Sequence, residues 1–200
     1  MAKATRRKER NIETDLFGLK IIEGGINSKA KGDANEVEAC KFMKKWTKED
    51  FSRVPRSGGM RWKNNSSVCG DIVCQNEDFK FIFSVETKHL KKILLTGQMS
   101  ADRSAVLTIW EQCKEDAIRA NKHPLLLLRI NGMAKGSYIV YFEEKHYINL
   151  LNNGFDDLPL AAFWPLPTSQ AIVGITSEDL LTIPYEVMVK VVALSNEKID

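Results

Sequence analysis

The chain has no run of eighteen apolar residues, so nothing in it reads as a transmembrane helix. Its start, MAKATRRKERNIETD, is charged and has no apolar stretch behind it, which argues against a secretory signal and predicts a cytoplasmic protein. The four cysteines (Cys40, Cys69, Cys74 and Cys113) form no CxxC pair, and no histidine stands at zinc-finger spacing from them. They read as reduced structural thiols. There is no internal repeat and no low-complexity tract. At 44% hydrophobic and 28% charged residues, the 200-residue chain has the material for one real core, which excludes a disordered chain, a collagen-like fibre or a disulfide mini-protein.

Charge of one sign is scarce only in the total. The net charge of +3 conceals 16 Lys and Arg against 9 Asp and Glu in residues 1–63, a net of +7, followed by a net of −4 in the remainder. A basic first third on a slightly acidic body points to a polyanionic partner.

Residues 1–31, with Arg6, Arg7, Lys8 and Arg10, read as a basic arm. Helical spacing of Val37, Cys40, Phe42, Met43 and Trp46 predicts a helix from Asp33 to Thr47, with Gly32 before it and Asp33 and Glu36 in its first turn. Residues 51–67, FSRVPRSGGMRWKNNSS, read as a basic, glycine-containing loop or broken strand. Two strands follow, Val68–Gln75 and Phe79–Lys88, joined by a polar turn at Asn76-Glu77-Asp78. In the second, Phe79, Phe81, Phe83 and Val85 alternate with Lys80, Ile82, Ser84, Glu86 and Lys88, so one face is core. After a polar connection comes a helix over Ala105–Asn121, with Leu107, Trp110, Cys113, Ala117 and Ile118 as its buried stripe. Pro124–Leu128 and Tyr138–Phe142 read as strands, the first apolar enough to be buried on both faces. Beyond residue 143 only a helix start with Ser177 as N-cap is legible, and Pro159, Pro165 and Pro167 predict irregular chain.

The chemistry concentrates in Gly70-Asp71-Ile72-Val73 and Val85-Glu86-Thr87-Lys88. Counted back through the turn, Asp71 and Glu86 fall opposite one another within about two residues, and Glu86 and Lys88 share a face. Two carboxylates are what a hard divalent cation such as Mg²⁺ or Mn²⁺ requires, and an adjacent amine can position a water. Glu36 is a candidate third acid, with Glu38 as its competitor. The bland alternative is a surface ion pair of little energetic worth. Against it stand the basic loop, where Arg53, Arg56, Arg61, Lys63 and Ser57 can contact phosphates, and the later helix carrying Gln112. Trp46 and Trp110 lie on apolar stripes and read as core, whereas Trp62 sits in the basic loop. His89 points away from Lys88 on a regular strand, and His123 and His146 read as solvated.

Taken in order, Gly32-Asp-Ala-Asn-Glu36, Phe51-Ser-Arg-Val-Pro-Arg-Ser-Gly-Gly59, Gly70-Asp71-Ile72, Val85-Glu86-Thr87-Lys88 and Trp110-Glu-Gln112 resemble the PD-(D/E)xK nuclease superfamily. Within it, the set resembles the small phage and archaeal Holliday junction resolvase-like endonucleases. The resemblance spans roughly residues 30–142 and implies an α/β, restriction-endonuclease-like core, a central mixed β-sheet of four or five strands flanked by α-helices. The expected organisation is a basic arm over 1–31, a nuclease core over 32–142, and a C-terminal extension over 143–200, which matches no family motif and completes the domain or a dimer interface. Asp71 and Glu86 are then metal ligands, with the Thr87 carbonyl and Glu36 as further candidates. Lys88 becomes the water-positioning group, and Gln112 a helix residue directed at the site. The implied reaction is Mg²⁺- or Mn²⁺-dependent cleavage of DNA, branched DNA above all, by a homodimer in a bacterial or phage-infected cell, leaving 5′-phosphate and 3′-hydroxyl ends. Restriction, homing and phage DNA degradation share that chemistry, and a non-catalytic DNA-binding protein shares the fold. The departure from the pattern is Gly70, which stands where the superfamily's name has proline.

Overall fold

The computed structural model describes residues 13–14, 20–21, 28–54, 70–91, 100–166 and 170–196. In chain order the elements are β1 (Glu13–Thr14), β2 (Lys20–Ile21), α1 (Ser28–Thr47), β3 (Phe51–Arg53), β4 (Ile72–Cys74), β5 (Phe83–Leu90), α2 (Ser100–Arg119) and β6 (His123–Ile130). They continue with β7 (Ile139–Glu143), α3 (Glu144–Leu151), β8 (Ala162–Pro165), β9 (Ala171–Thr176), α4 (Ser177–Leu180) and α5 (Tyr185–Asn196). Strands β1 and β2 form a small antiparallel pair, and the other seven form one mixed sheet in the order β3-β4-β5-β6-β7-β9-β8. Among the described strands, only β5 and β6 run parallel. Helix α2 is the crossover between them, as a parallel connection requires. No helix among the described residues is long and apolar enough to cross a membrane.

Covering both faces of the sheet explains the sequence pattern of its centre. Leu125 and Leu127 of β6 join a core with Phe42, Met43 and Trp46 of α1 and with Met188 and Val191 of α5. Leu126 and Leu128 join a second core with Val106, Trp110 and Cys113 of α2. A strand buried on both sides has to be apolar at every position, and Leu125–Leu128 are fully buried. The same covering corrects the one-sided reading of β5. Ser84 and Glu86, expected on the open face, are buried because α2 lies over them.

Several boundaries differ from the sequence reading. Helix α1 begins at Ser28, so Gly32 lies inside it, and Asp33 and Glu36 are beyond its first turn. Its buried side is Asn35, Glu36, Ala39, Phe42, Met43 and Trp46, and Val37 is exposed. Ile118 is likewise exposed, because the side of α2 toward the sheet runs through Val106, Trp110, Cys113 and Ala117. Strand β5 starts at Phe83 and continues to Leu90, since parallel pairing with β6 extends to Ile130. The N-cap of α4 is Thr176, whose Oγ1 accepts from the Asp179 N–H at 3.1 Å. Ser177 Oγ instead accepts from the Tyr138 N–H at 3.0 Å, tying the helix start to β7. The proline-bearing tail is more regular than expected: β9 pairs with β7 and carries edge strand β8, which ends in Pro165, at the sheet margin where proline costs no ladder bond.

Candidate active site

Among the described residues, strand β4 meets β5 through a single ladder pair, Ile72 with Val85. Continuing that antiparallel register by one residue sets Asp71 across from Glu86. The Asp71 N–H donates to the Val85 carbonyl at 2.8 Å, and its own carbonyl accepts from the Val54 N–H at 2.9 Å. Asp71 is thus pinned between β3 and β5 by its backbone, and its carboxylate is left for other work.

That carboxylate turns toward β5. Asp71 Oδ2 accepts from the Thr87 N–H at 2.8 Å and lies 3.3 Å from Thr87 Oγ1. In a strand, the N–H and C=O of one residue point to the same side. The Thr87 carbonyl therefore aims at the same edge as Asp71, on the side where β4 peels away. Glu86 pairs with Leu126 across the parallel ladder and so faces α2. Lys88, two residues on, shares that face, and its Nζ lies 2.5 Å from Glu86 Oε1. Asp71, Glu86 and Thr87 are buried, whereas Lys88 keeps 29% of its side chain exposed and so is open to solvent. Two buried carboxylates in register and a backbone carbonyl at the same edge make an all-oxygen donor set, beside which the Lys88 amine reaches in from solvent. That set fits a hard divalent cation.

Gly70 fixes the approach to this pair. Its φ is +76°, in the region that favours glycine, and a Cβ there would lie 2.4 Å from the Val85 carbonyl oxygen. Proline, held near φ of about −65°, cannot take this conformation. The departure noted at Gly70 is therefore a structural requirement of this chain: close passage over β5 delivers Asp71 to Glu86.

The structure places the remaining candidates as follows. Arg53 pairs with Ile72 across β3 and β4 and so lies on the side of the sheet covered by α1. There its Nε donates to Glu36 Oε2 at 2.7 Å and its Nη2 to Asp33 Oδ1 at 2.5 Å. The hydrogen bond that Arg53 donates to Glu36 is the main reason its guanidinium is held above its ordinary pKa. Glu36 is buried in this pair, on the face of the sheet opposite to that of Glu86. Glu38 points elsewhere, meeting Lys41 at 3.0 Å and Lys135 at 3.2 Å, and the hydrogen bond from Lys41 holds its carboxyl below the usual range. Gln112 is exposed on α2, off the side that packs on the sheet. Arg56, Ser57, Arg61 and Lys63, with Trp62, fall outside the described residues. Trp46 and Trp110 are core.

Sequence reasoning missed the Asp33–Arg53–Glu36 clamp, because a salt link between a helix and a strand seventeen residues on leaves no periodic trace. It also missed His146, read as solvated and in fact fully buried, since α3 was not foreseen to pack its first turn onto the sheet.

No curated protein and no solved structure matches the chain. A family model does, over residues 27–163, from the start of α1 to β8, and its description is "Phage putative PDDEXK endonuclease". With that span, the mixed sheet between helices, and Asp71, Glu86 and Lys88 at one strand end, the chain belongs to the phage PD-(D/E)xK endonuclease family, and membership implies a metal-dependent endonuclease.

Proposed function

We propose that this protein is a Mg²⁺- or Mn²⁺-dependent DNA endonuclease that cuts branched DNA, such as a four-way junction, as a homodimer in the cytoplasm of a phage-infected cell. The observation that carries the nuclease reading is the convergence of Asp71, Glu86 and Lys88 where β4 leaves β5. What supports branched DNA is the resemblance of the ordered motifs to junction resolvase-like enzymes. What supports a dimer is the need for two sites to cut two strands symmetrically.

Asp71 and Glu86 would hold the cation, with the Thr87 carbonyl as a backbone ligand. The bound ion supplies charge neutralisation at the scissile phosphate and a more acidic water. The chain's own residues do the rest. The Thr87 N–H fixes the Asp71 carboxylate, so one of its oxygens is aimed before substrate arrives. Glu86 Oε1 holds Lys88 Nζ at the mouth of the site, where the remaining N–H donors can orient an attacking water and contact a phosphate oxygen. Burial under α2 keeps bulk water from competing for Glu86. The Asp33–Arg53–Glu36 clamp holds the first turns of α1 against β3, the strand beside Asp71, so Glu36, on the sheet face opposite to that of Glu86, acts as a positioning residue rather than as a metal ligand.

The test is incubation of the purified protein with labelled four-way junction, linear duplex and single strand, with and without Mg²⁺. Junction cleavage that needs the metal is the expected result, and Glu86→Gln and Lys88→Ala should each lower the rate by 10² or more while leaving junction affinity within a few fold. Absence of cleavage on every DNA would refute the enzyme reading. Cutting of linear duplex at one sequence would move the assignment to restriction or homing.

A further inference from the structure

A second donor cluster lies at the other end of the strands that carry the nuclease residues. His123 opens β6 and pairs with Phe83, so Glu86 and Lys88 lie three and five positions further along β5, about 10 and 16 Å away at the rise of a strand. Glu143 closes β7, and His146 sits in the first turn of α3. One ligand atom from each of His123, Glu143 and His146 can be chosen so that all lie within 4.8 Å of one another.

His146 makes this more than a chance cluster. It is fully buried, and neither Nδ1 nor Nε2 has a hydrogen-bond partner. Buried imidazole nitrogens are ordinarily satisfied, so two unsatisfied ones in one ring need a reason. Nε2 points at Glu143 Oε2 from 3.8 Å, too far for a hydrogen bond. The His123 ring stands edge-on to it at 5.6 Å between centroids. Burial depresses the His146 pKa to about 3, and burial lowers that of His123 as well, so both rings are neutral donors near pH 7. Glu143 is the N-cap of α3 but makes no side-chain capping hydrogen bond, and among the described residues its carboxylate meets the half-exposed Lys145 amine, at 3.2 Å, and His146.

We propose that His123, Glu143 and His146 form a Zn²⁺ site that pins α3 to the ends of β6 and β7. Two imidazoles and one carboxylate, with water as fourth ligand, are a zinc donor set, whereas Mg²⁺ prefers oxygen alone. Tetrahedral zinc needs ligand atoms about 3.4 Å apart, given bonds near 2.1 Å, so the observed spacing closes with small side-chain rotations. Lys145 yields its place on Glu143, and its side chain is exposed enough to swing into solvent. The role is structural: the ion satisfies the orphaned imidazole and cross-links three elements. It is independent of the DNA chemistry at Glu86.

The test uses full-length protein carrying Glu86→Gln, stripped with a chelator, so that the nuclease carboxylates contribute little. Isothermal titration with Zn²⁺ should show one saturable site per chain. Adding Glu143→Gln or His123→Asn, both at partly exposed positions, should weaken it at least tenfold, with circular dichroism confirming the fold of each variant. The absence of a saturable site in the starting protein, or unchanged affinity in either folded variant, would overturn the proposal.

Discussion

Replacing Gly70 by alanine tests how the site is built. The residue holds φ of +76°, and a Cβ would meet the Val85 carbonyl oxygen at 2.4 Å. Left-handed backbone costs a non-glycine residue about 1–2 kcal/mol. The clash cannot be relieved by a rotamer change, because the obstacle is the backbone of β5 at a fully buried position. Forcing β4 and β5 apart costs about 1–3 kcal/mol on the scale of overpacked cores. It also breaks the Asp71 N–H bond to Val85, worth about 1 kcal/mol net. The total is about 3–6 kcal/mol, which for a chain of this size lowers Tm by about 6–24 °C. Thermal unfolding by circular dichroism reads the stability, and Mg²⁺-dependent cleavage reads the displacement of Asp71, which should cost at least tenfold in rate. Gly70→Pro, although it writes the superfamily's own residue, should be at least as damaging, because proline cannot reach a positive φ. A Gly70→Ala protein that melts within 2 °C of the parent and cuts at its rate would refute this account.

Arg53→Ala leaves the buried Glu36 carboxylate without its guanidinium and should cost about 1–3 kcal/mol in urea unfolding, less than a fully buried pair because Arg53 is partly exposed. Adding Glu36→Gln should recover part of that loss if the pair is the cause. His146 binds a proton in the unfolded chain below about pH 6.5 but in the folded chain only near pH 3. The unfolded state therefore takes up more protons in that window. Stability should be intact above pH 6.5 and fall on acidification toward pH 3 by about 1.4 kcal/mol per unit, a slope that His146→Phe should flatten in denaturant titrations at several pH values. Gly32 lies inside α1 with open space where a Cβ would go, so Gly32→Ala should add about 0.5–1 kcal/mol, read as a higher Tm.

The parts of this fold legible in the sequence are those written in local periodicity. Alternation in the Phe79–Lys88 segment marked β5, the apolar run Leu125–Leu128 marked β6, and helical spacing around Trp46 and Trp110 marked α1 and α2. From β5 alone, the Glu86–Lys88 pair follows with no tertiary information, and counting through the turn brings Asp71 to it. What periodicity cannot carry is long-range choice. Nothing local says that Arg53 will reach back to Glu36 and Asp33, that Glu38 will turn to Lys135 in the β6–β7 turn, or that Gln112 will face solvent. The C-terminal part was opaque for the same reason. Strand β9 follows a sequence whose prolines conceal edge strand β8, and its pairing with β7 is decided by the sheet edge it meets.

The position of the proposed cleavage site follows from the energetics of the sheet. A carboxylate buried in a continuous antiparallel ladder would lie among backbone groups already spent on the ladder, and facing another carboxylate it would be repelled. Among the described residues the ladder between β4 and β5 holds one pair. So short a ladder frees the Thr87 N–H to bind Asp71 Oδ2, and the α2-facing alternation of β5 sets Lys88 against Glu86. Each acid thereby has a donor on β5, Thr87 for Asp71 and Lys88 for Glu86, and the two like charges meet at an edge open toward solvent through Lys88. Had β4 paired with β5 for three or four residues more, Thr87 would be spent on the ladder and both acids sealed in. The early departure of β4, enforced by Gly70, is thus what makes two buried carboxylates tolerable and accessible at one place.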